Sequence, residues 1–412
     1  MKNIAILHYS SPPIVAGVEL VIKDHSILMA QDGFDVTVIS GRGGKFHENV
    51  KTEIIKEIDP RNPEYLKIRE QLEAGKTPSN LEKYADGLYL KLQNSLKNTD
   101  ILIIHQALTM HFNLALTQAL IKIIKENPKM KIIHWTHDAT FLDENYSRLF
   151  DKYKNKAPWN LITSKIPGVL YITISQYRQN KITDFLGINQ NEIEVITNGL
   201  RLSSFLGLSA QTFKLVKKLK IFERDLVGFL PMRIVRRKNI EKAIEVAKEI
   251  NIQKDFLLLI TAPIDYQNPD ASKYFDELKI MIKKLGLENN VVFLSVYSFS
   301  DGKKFDIDNL NLRELFLISD FLLLTSRLEG FGMPIIEAGA MKTPVFCTNI
   351  KPFLEIAGDF AYYFNPNDNS NKIAKKIIEN IEKNPQNRLR EKVVKEYNLE
   401  MIYNTKIKPL LE

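Results

Sequence analysis

The sequence predicts an α/β protein of two doubly wound, Rossmann-like lobes. Three observations carry this. Short runs of Ile, Val, Leu and Phe alternate with longer amphipathic stretches, the alternation occurs twice with a join near residues 200–220, and the most distinctive polar residues fall just beyond the ends of apolar runs. Strands of a parallel sheet read as continuous apolar runs because crossover helices cover both faces.

In the first half the predicted strands are Ile4 to His8, Val36 to Ile39, Ile101 to Ile104, Lys131 to Trp135, Val169 to Ile174 and Ile193 to Ile196. Helices are predicted between them at Val18 to Gln31, Asn113 to Glu126, and Gln176 to Leu186, the last ended by Gly187. The second half repeats the order, with strands at Val227 to Pro231, Phe256 to Thr261, Val291 to Ser295, Phe321 to Thr325 and Val345 to Cys347. Its helices are expected at Asn239 to Ile250, Ser272 to Leu285, Leu310 to Ile318, Pro334 to Met341 and Asn371 to Asn384. Two such arrays suggest lobes of residues 1–200 and 201–390 facing each other across a cleft. The polar, helix-patterned residues 51–97 read as an insertion that shapes an acceptor site.

Lobes of this size bury an ample core. The 44% hydrophobic and 26% charged residues place the chain among ordinary globular proteins. A single cysteine, Cys347, excludes an intramolecular disulfide and fits a reducing, cytoplasmic setting. The first residues are too soon interrupted for a signal peptide, and no apolar run approaches the roughly 20 residues of a membrane span. The formal charge of +8 is spread along the chain, which suits a diphosphate pocket or weak attraction to an anionic membrane surface; no nucleic-acid-binding signature accompanies it.

The most informative stretch runs from Ser326 through Arg327, Leu328, Glu329, Gly330, Phe331, Gly332, Met333 and Pro334 to Glu337 and Ala338, at the carboxyl end of an apolar run. Ligands of open α/β sheets bind there. Gly330 and Gly332 permit close backbone approach, Pro334 suits the start of a helix, and that helix offers free N–H groups to an anion. A carboxylate accepts hydrogen bonds from two neighbouring hydroxyls, so Glu329 in the loop suits a sugar ring and Glu337 in the first helical turn a ribose diol. The plainer alternative has Glu329 cap the helix and Glu337 complement its dipole.

Arg233 to Asn239 form a second constellation, with Asn239 as expected helix cap. Arg233 and Lys238 are the candidates to hold a departing diphosphate, while Arg236 and Arg237 read as solvated turn residues. In the first lobe His137 ends an apolar strand and is expected to face the reacting sugar, with Asp138 orienting it or capping the next segment. His134 and His137, three apart on a strand, point to opposite faces and are not expected to share a metal. Residues 11–19 place the N–H groups of Gly17 and Val18 at the start of a helix, where a phosphate can bind, and Thr197-Asn198-Gly199 reads as a tight turn.

Together these residues resemble the retaining glycosyltransferases of family 4, glycosyl transferases group 1, with the GT-B fold. Besides those residues, the marks are Ser175 at the end of an Ile-Thr-Ile-Ser strand and the Asn198-Gly199 pair. The resemblance implies a hexosyltransferase that takes its sugar from a UDP- or GDP-sugar. Glu337 would be its ribose ligand, Arg233 and Lys238 its diphosphate ligands, Glu329 with the backbone of Gly330, Phe331, Gly332 and Met333 its sugar ligands, and His137 a contact to the transferred sugar. Gly17 would complete the donor site, and Asp138 and Ser175 would lie on the acceptor side. It also implies front-side attack without a protein nucleophile, and a last segment, residues 391–412, that crosses back to the first lobe. Ala16 stands where the family often has glycine, and Thr197 where it has proline.

Transfer is expected to need no metal or other cofactor, since the one close Asp-x-Asp, Asp306-Ile307-Asp308, reads as a surface loop. The acceptor stays open among a small molecule, a lipid-linked glycan and a polysaccharide unit. The alternatives are a sugar-nucleotide epimerase of the same architecture, which expects further acid and base carboxylates, and a non-catalytic sugar-nucleotide-binding protein. A His-Asp phosphohydrolase would need more metal-ligating residues than the seven histidines convincingly supply.

Overall fold

A computed structural model describes residues 2–263 and 269–412. The chain divides into two compact units, Met1–Leu200 with Leu399–Glu412, and Arg201–Asn398.

The first unit is a parallel sheet of β1 (Asn3–Ser10), β2 (Asp35–Arg42), β3 (Lys51–Ile54), β4 (Ile101–His105), β5 (Lys131–Thr136), β6 (Val169–Thr173) and β7 (Ile193–Val195). Its order is β3-β2-β1-β4-β5-β6-β7, with every neighbouring pair parallel. The order reverses between β1 and β4, which makes their carboxyl ends the switch point of this unit. Alternation along β1 explains why both faces are apolar. Ala5, Leu7 and Tyr9 join one core cluster with helices Leu81–Ser95 and Leu114–Glu126, while Ile4 and Ile6 join another with helix Gly17–Gln31.

That second face is completed from the far end of the chain, where Leu399, Ile402, Tyr403, Ile407 and Leu411 are buried against it. At about 1.5–3 kcal/mol for each large side chain fully buried, this segment is strongly held. Gly199 makes room for it, because a Cβ there would lie 2.7 Å from the Leu399 Cα. Gly199→Ala is therefore expected to lower stability by about 1–3 kcal/mol, the usual cost of overpacking, read as a shift in denaturant midpoint. An unchanged midpoint would mean the segment shifts without cost.

The second unit orders β8 (Leu226–Leu230), β9 (Phe256–Ile260), β10 (Val291–Phe293), β11 (Phe321–Leu324), β12 (Val345–Thr348) and β13 (Tyr362–Phe364) as β10-β9-β8-β11-β12-β13. All its pairs are parallel, and its switch point lies between β8 and β11.

Three expectations change. Lys51–Ile54 is an edge strand paired to β2, so only helices Pro63–Glu73 and Leu81–Ser95 remain of the helical insertion. The strand expected at Val291 to Ser295 ends at Phe293, and Leu294–Val296 form a 3-10 turn. Residues 391–398 stay with the second unit: the Arg390 guanidinium pairs with Asp320 and donates to the Leu317 carbonyl at 2.9 Å, and Lys395 pairs with Asp225. The crossing begins at Leu399.

Candidate functional site

The carboxyl ends of β8, β9 and β11 open on a cleft of ≈ 700 Å³ in the second unit. Arg233, Arg237, Lys238, Glu329, Phe331, Gly332, Met333 and Glu337 all line it, so most of the residues singled out in this half of the sequence converge on its switch point.

The loop bearing Lys238 is stitched to the end of β11. The Thr325 hydroxyl donates to the Lys238 carbonyl at 3.0 Å, the Asn239 side-chain amide donates to the Thr325 carbonyl at 3.2 Å, and the Arg327 N–H donates to the Arg237 carbonyl at 2.8 Å. Asn239 sits in the left-handed region at φ 53°, which asparagine tolerates better than most residues, and its side chain makes no capping bond to the helix Ile240–Ile250. The expected cap is thus a loop anchor.

This stitching brings Lys238 against Glu329. The ammonium pairs with Glu329 Oε1, which also accepts from Ser326 Oγ at 2.7 Å, while Arg237 Nη1 holds Glu329 Oε2 at 3.1 Å and the Leu328 carbonyl at 3.0 Å. Burial pushes the Glu329 carboxyl up, but the Lys238 and Ser326 hydrogen bonds and the two cations outweigh it and hold it below the usual range. Two readings are corrected. Arg237 is a cleft residue bound to Glu329, whereas Arg236 does point outward, to exposed Glu277. Lys238 and Glu329, assigned to different parts of a ligand, are each other's partners here.

Glu337 and Arg233 behave differently. Neither side chain has a hydrogen-bond or ion-pair partner among the described residues, and burial pushes the half-buried Glu337 carboxyl up. Glu337 is the fifth residue of the helix Met333–Ala340, just past the first turn where a dipole partner would sit. Gly332 precedes that helix at φ 152°, where an added Cβ would also press on Phe353 at 3.1 Å; a Cβ at Gly330 would meet nothing within 4 Å. Phe331 and Met333 are exposed. Asp308 of the Asp-x-Asp caps the helix Asn309–Ile318 by accepting from the Asn311 N–H at 2.7 Å, and Ile307 lines the cleft.

In the first unit His137 follows β5 and is 7% exposed. Its Nε2 lies 2.9 Å from Nδ1 of His105, the last residue of β4, and burial depresses its pKa to about 3. His134 faces the other way, to Thr136 Oγ1 at 3.0 Å and the Tyr171 ring, as the strand alternation requires. Among the described residues no three His, Cys, Asp or Glu side chains are grouped to hold a metal ion. Asp138 does not orient His137; it accepts from the Ala139 N–H at 2.8 Å and pairs with Arg178 at 3.0 Å. Ser175 caps the helix Gln176–Leu186 through the Arg178 N–H, and Gly17 opens the helix Gly17–Gln31, whose first N–H groups carry no side-chain cap.

Sequence reasoning missed His105 and Arg237. His105 closes the apolar run Ile101–Ile104 and has no local signal, whereas Arg237 carries one, since a basic run just beyond a strand's carboxyl end lies where anions bind.

A strand-end cleft at the switch point of a doubly wound unit, lined by cations and two spaced glutamates, is where the ligand of such a unit binds. Residues 211–398, nearly the whole second unit, match the family model for glycosyl transferases group 1. With two doubly wound parallel sheets in tandem, the chain's fold class is GT-B. It is similar to mannosylglucosylglycerate synthase of Petrotoga mobilis, 24% identical over 64% of this chain and 63% of that protein, so it spans less than two thirds of that relative. The Thermotoga maritima protein of the same name is 22% identical over 85% of this chain and 83% of its own. The O-antigen chain mannosyltransferase RfbU of Salmonella typhimurium is 28% identical over 52% and 51%. Among solved structures, Anabaena Alr3699/HepE in complex with UDP and glucose aligns over 100% of both chains at 18% identity and a TM-score of 0.37. Among the described residues no helix is long and apolar enough to cross a membrane.

Proposed function

We propose that this chain is a retaining hexosyltransferase whose UDP- or GDP-sugar donor binds in the cleft at the ends of β8, β9 and β11. The observation that carries this reading is that Arg233 and Glu337 face one cleft without partners among the described residues. A cation and a half-buried carboxylate left unsatisfied match a diphosphate and a ribose diol. Glu329 and the Gly330–Met333 backbone then bind the transferred sugar, and His137 contacts it. Mannose is the first sugar to test, because three relatives are named for mannosyl products or transfer. The acceptor is a hydroxyl of a small carbohydrate, a lipid-linked glycan or a polysaccharide. Fixed cations stand in for a divalent ion. Incubation with GDP-mannose and UDP-glucose, with and without acceptors, tests the reading by nucleotide release; no release from any donor counts against it.

The two glutamates should fail differently. Glu337→Ala is expected to weaken binding of free UDP or GDP by about 1–3 kcal/mol, the range for a lost hydrogen bond to a charged group, while Glu329→Ala lowers turnover and leaves nucleotide binding nearly intact. Because burial raises the Glu337 pKa, its hydrogen bonds are present at neutral pH and are lost on acidification above the ordinary glutamate range. Glu329 stays ionised to lower pH. Calorimetry across pH with wild type and Glu337→Gln should show an acid-side loss of affinity in the wild type only. Equal losses in Glu337→Ala and Glu329→Ala, or the same pH dependence in Glu337→Gln, would contradict the assignment.

A further inference from the structure

The histidine expected to meet the sugar leans on a second histidine. His105 is fully buried at the end of β4, with Nδ1 2.9 Å from His137 Nε2. The two rings stack at 5.1 Å and 16°, and His105 lies at 17° to Trp135 with centroids 6.0 Å apart. His8 Nδ1–H donates to the His105 carbonyl at 3.1 Å and fixes its backbone. Burial depresses both imidazoles far below neutral pH, so each carries one N–H and one lone pair, and their bond needs one donor and one acceptor.

Burial elsewhere on the ring decides which is which. His105 Nε2 is sealed from solvent and has no partner among the described residues. A proton there would be a buried donor without an acceptor, the rarer and costlier arrangement; a bare lone pair costs less. The His105 proton therefore sits on Nδ1 and points at His137 Nε2. His137 must then carry its own proton on Nδ1, which has no hydrogen bond among the described residues and is not among the sealed atoms.

We infer that His105 is a positioning residue that fixes the tautomer of His137, so that a neutral His137 presents an Nδ1–H donor to an oxygen of the bound substrate. The consequence for turnover rests on the proposed role of His137 at the sugar; the tautomer does not. A donor held this way suits a sugar hydroxyl or ring oxygen and cannot act as a general base through Nδ1.

Histidine-selective ¹⁵N labelling of the full chain tests it, because protonated and bare ring nitrogens resonate far apart, and loss of signals in His137→Gln assigns that ring. His137 should be protonated at Nδ1 in the wild type. His105→Asn keeps an N–H donor at the δ position and should preserve that state, whereas His105→Leu should shift the proton to Nε2 or to a mixture. Turnover should fall roughly 10-fold or more in His105→Leu, as for an orienting partner lost behind a functional histidine, with recovery in His105→Asn and little change in donor KM. Protonation of His137 at Nε2 in the wild type overturns the inference whether or not the variants fold, as does a His137 tautomer unmoved in folded His105→Leu. Absence of transferase activity in the wild type counts against the proposed function alone, since the tautomer is read without substrate.

Discussion

Lys238→Ala is expected to lower kcat/KM about 100-fold or more, the cost of removing one preorganised charge from a site that stabilises a leaving group. The side chains of Lys238 and Glu329 are only 14% and 10% exposed, and the ammonium is already committed to the carboxylate before any donor arrives. A diphosphate bound as proposed would therefore compete with Glu329 for Lys238. Arg237 and Ser326 keep the carboxylate in place when the lysine is drawn away, because they hold Oε2 and Oε1 independently. Two residues that act through one shared bond are not additive. The double variant Lys238→Ala/Glu329→Ala should be little worse than the poorer single variant. Measuring kcat/KM for the four proteins of this cycle decides it: multiplication of the two single effects would show that they act separately, as their spacing in sequence first suggests.

That coupling marks where the sequence stops being legible. Continuous apolar runs such as Phe256–Ile260 and Phe321–Leu324 declare buried parallel strands by composition alone, and the polar residues just past them declare the site. Edge strands carry no such signal. Lys51–Ile54 reads Lys-Thr-Glu-Ile and has only one neighbour to cover it, so its pattern is that of any polar segment. Partnerships across the sheet are equally silent. The direction of Arg237 depends on the left-handed turn at Asn239 and on bonds to Thr325 and Arg327 nearly ninety positions away. The His105–His137 contact exists because β4 and β5 pair in register, His105 opposite Trp135, which no local window reveals. The residue types of the site could be read from the sequence; who holds whom could not.

Arg233→Ala should also cost roughly 100-fold in turnover, but by a route different from Lys238. Arg233 lines the cleft as an exposed cation whose side chain has no partner among the described residues, so none of these competes for it. Its loss should weaken binding of UDP or GDP by about 1.5–3 kcal/mol, the range for a hydrogen bond to a charged group, and leave binding of the uncharged nucleoside nearly unchanged. Lys238→Ala, by contrast, should spare part of the ground-state affinity, because freeing Glu329 from its lysine offsets some of the gain a diphosphate makes there. Arg233, Arg237 and Lys238 around the cleft would supply the positive charge that a divalent ion otherwise brings, and Asp308 of the Asp-x-Asp stretch is engaged as a helix cap. Initial rates of the wild type are therefore expected to survive EDTA almost unchanged. Loss of activity in EDTA that returns with Mg²⁺ or Mn²⁺, together with mild effects of both substitutions, would overturn this mechanism and move the search for the leaving-group charge to the Asp306–Asp308 loop.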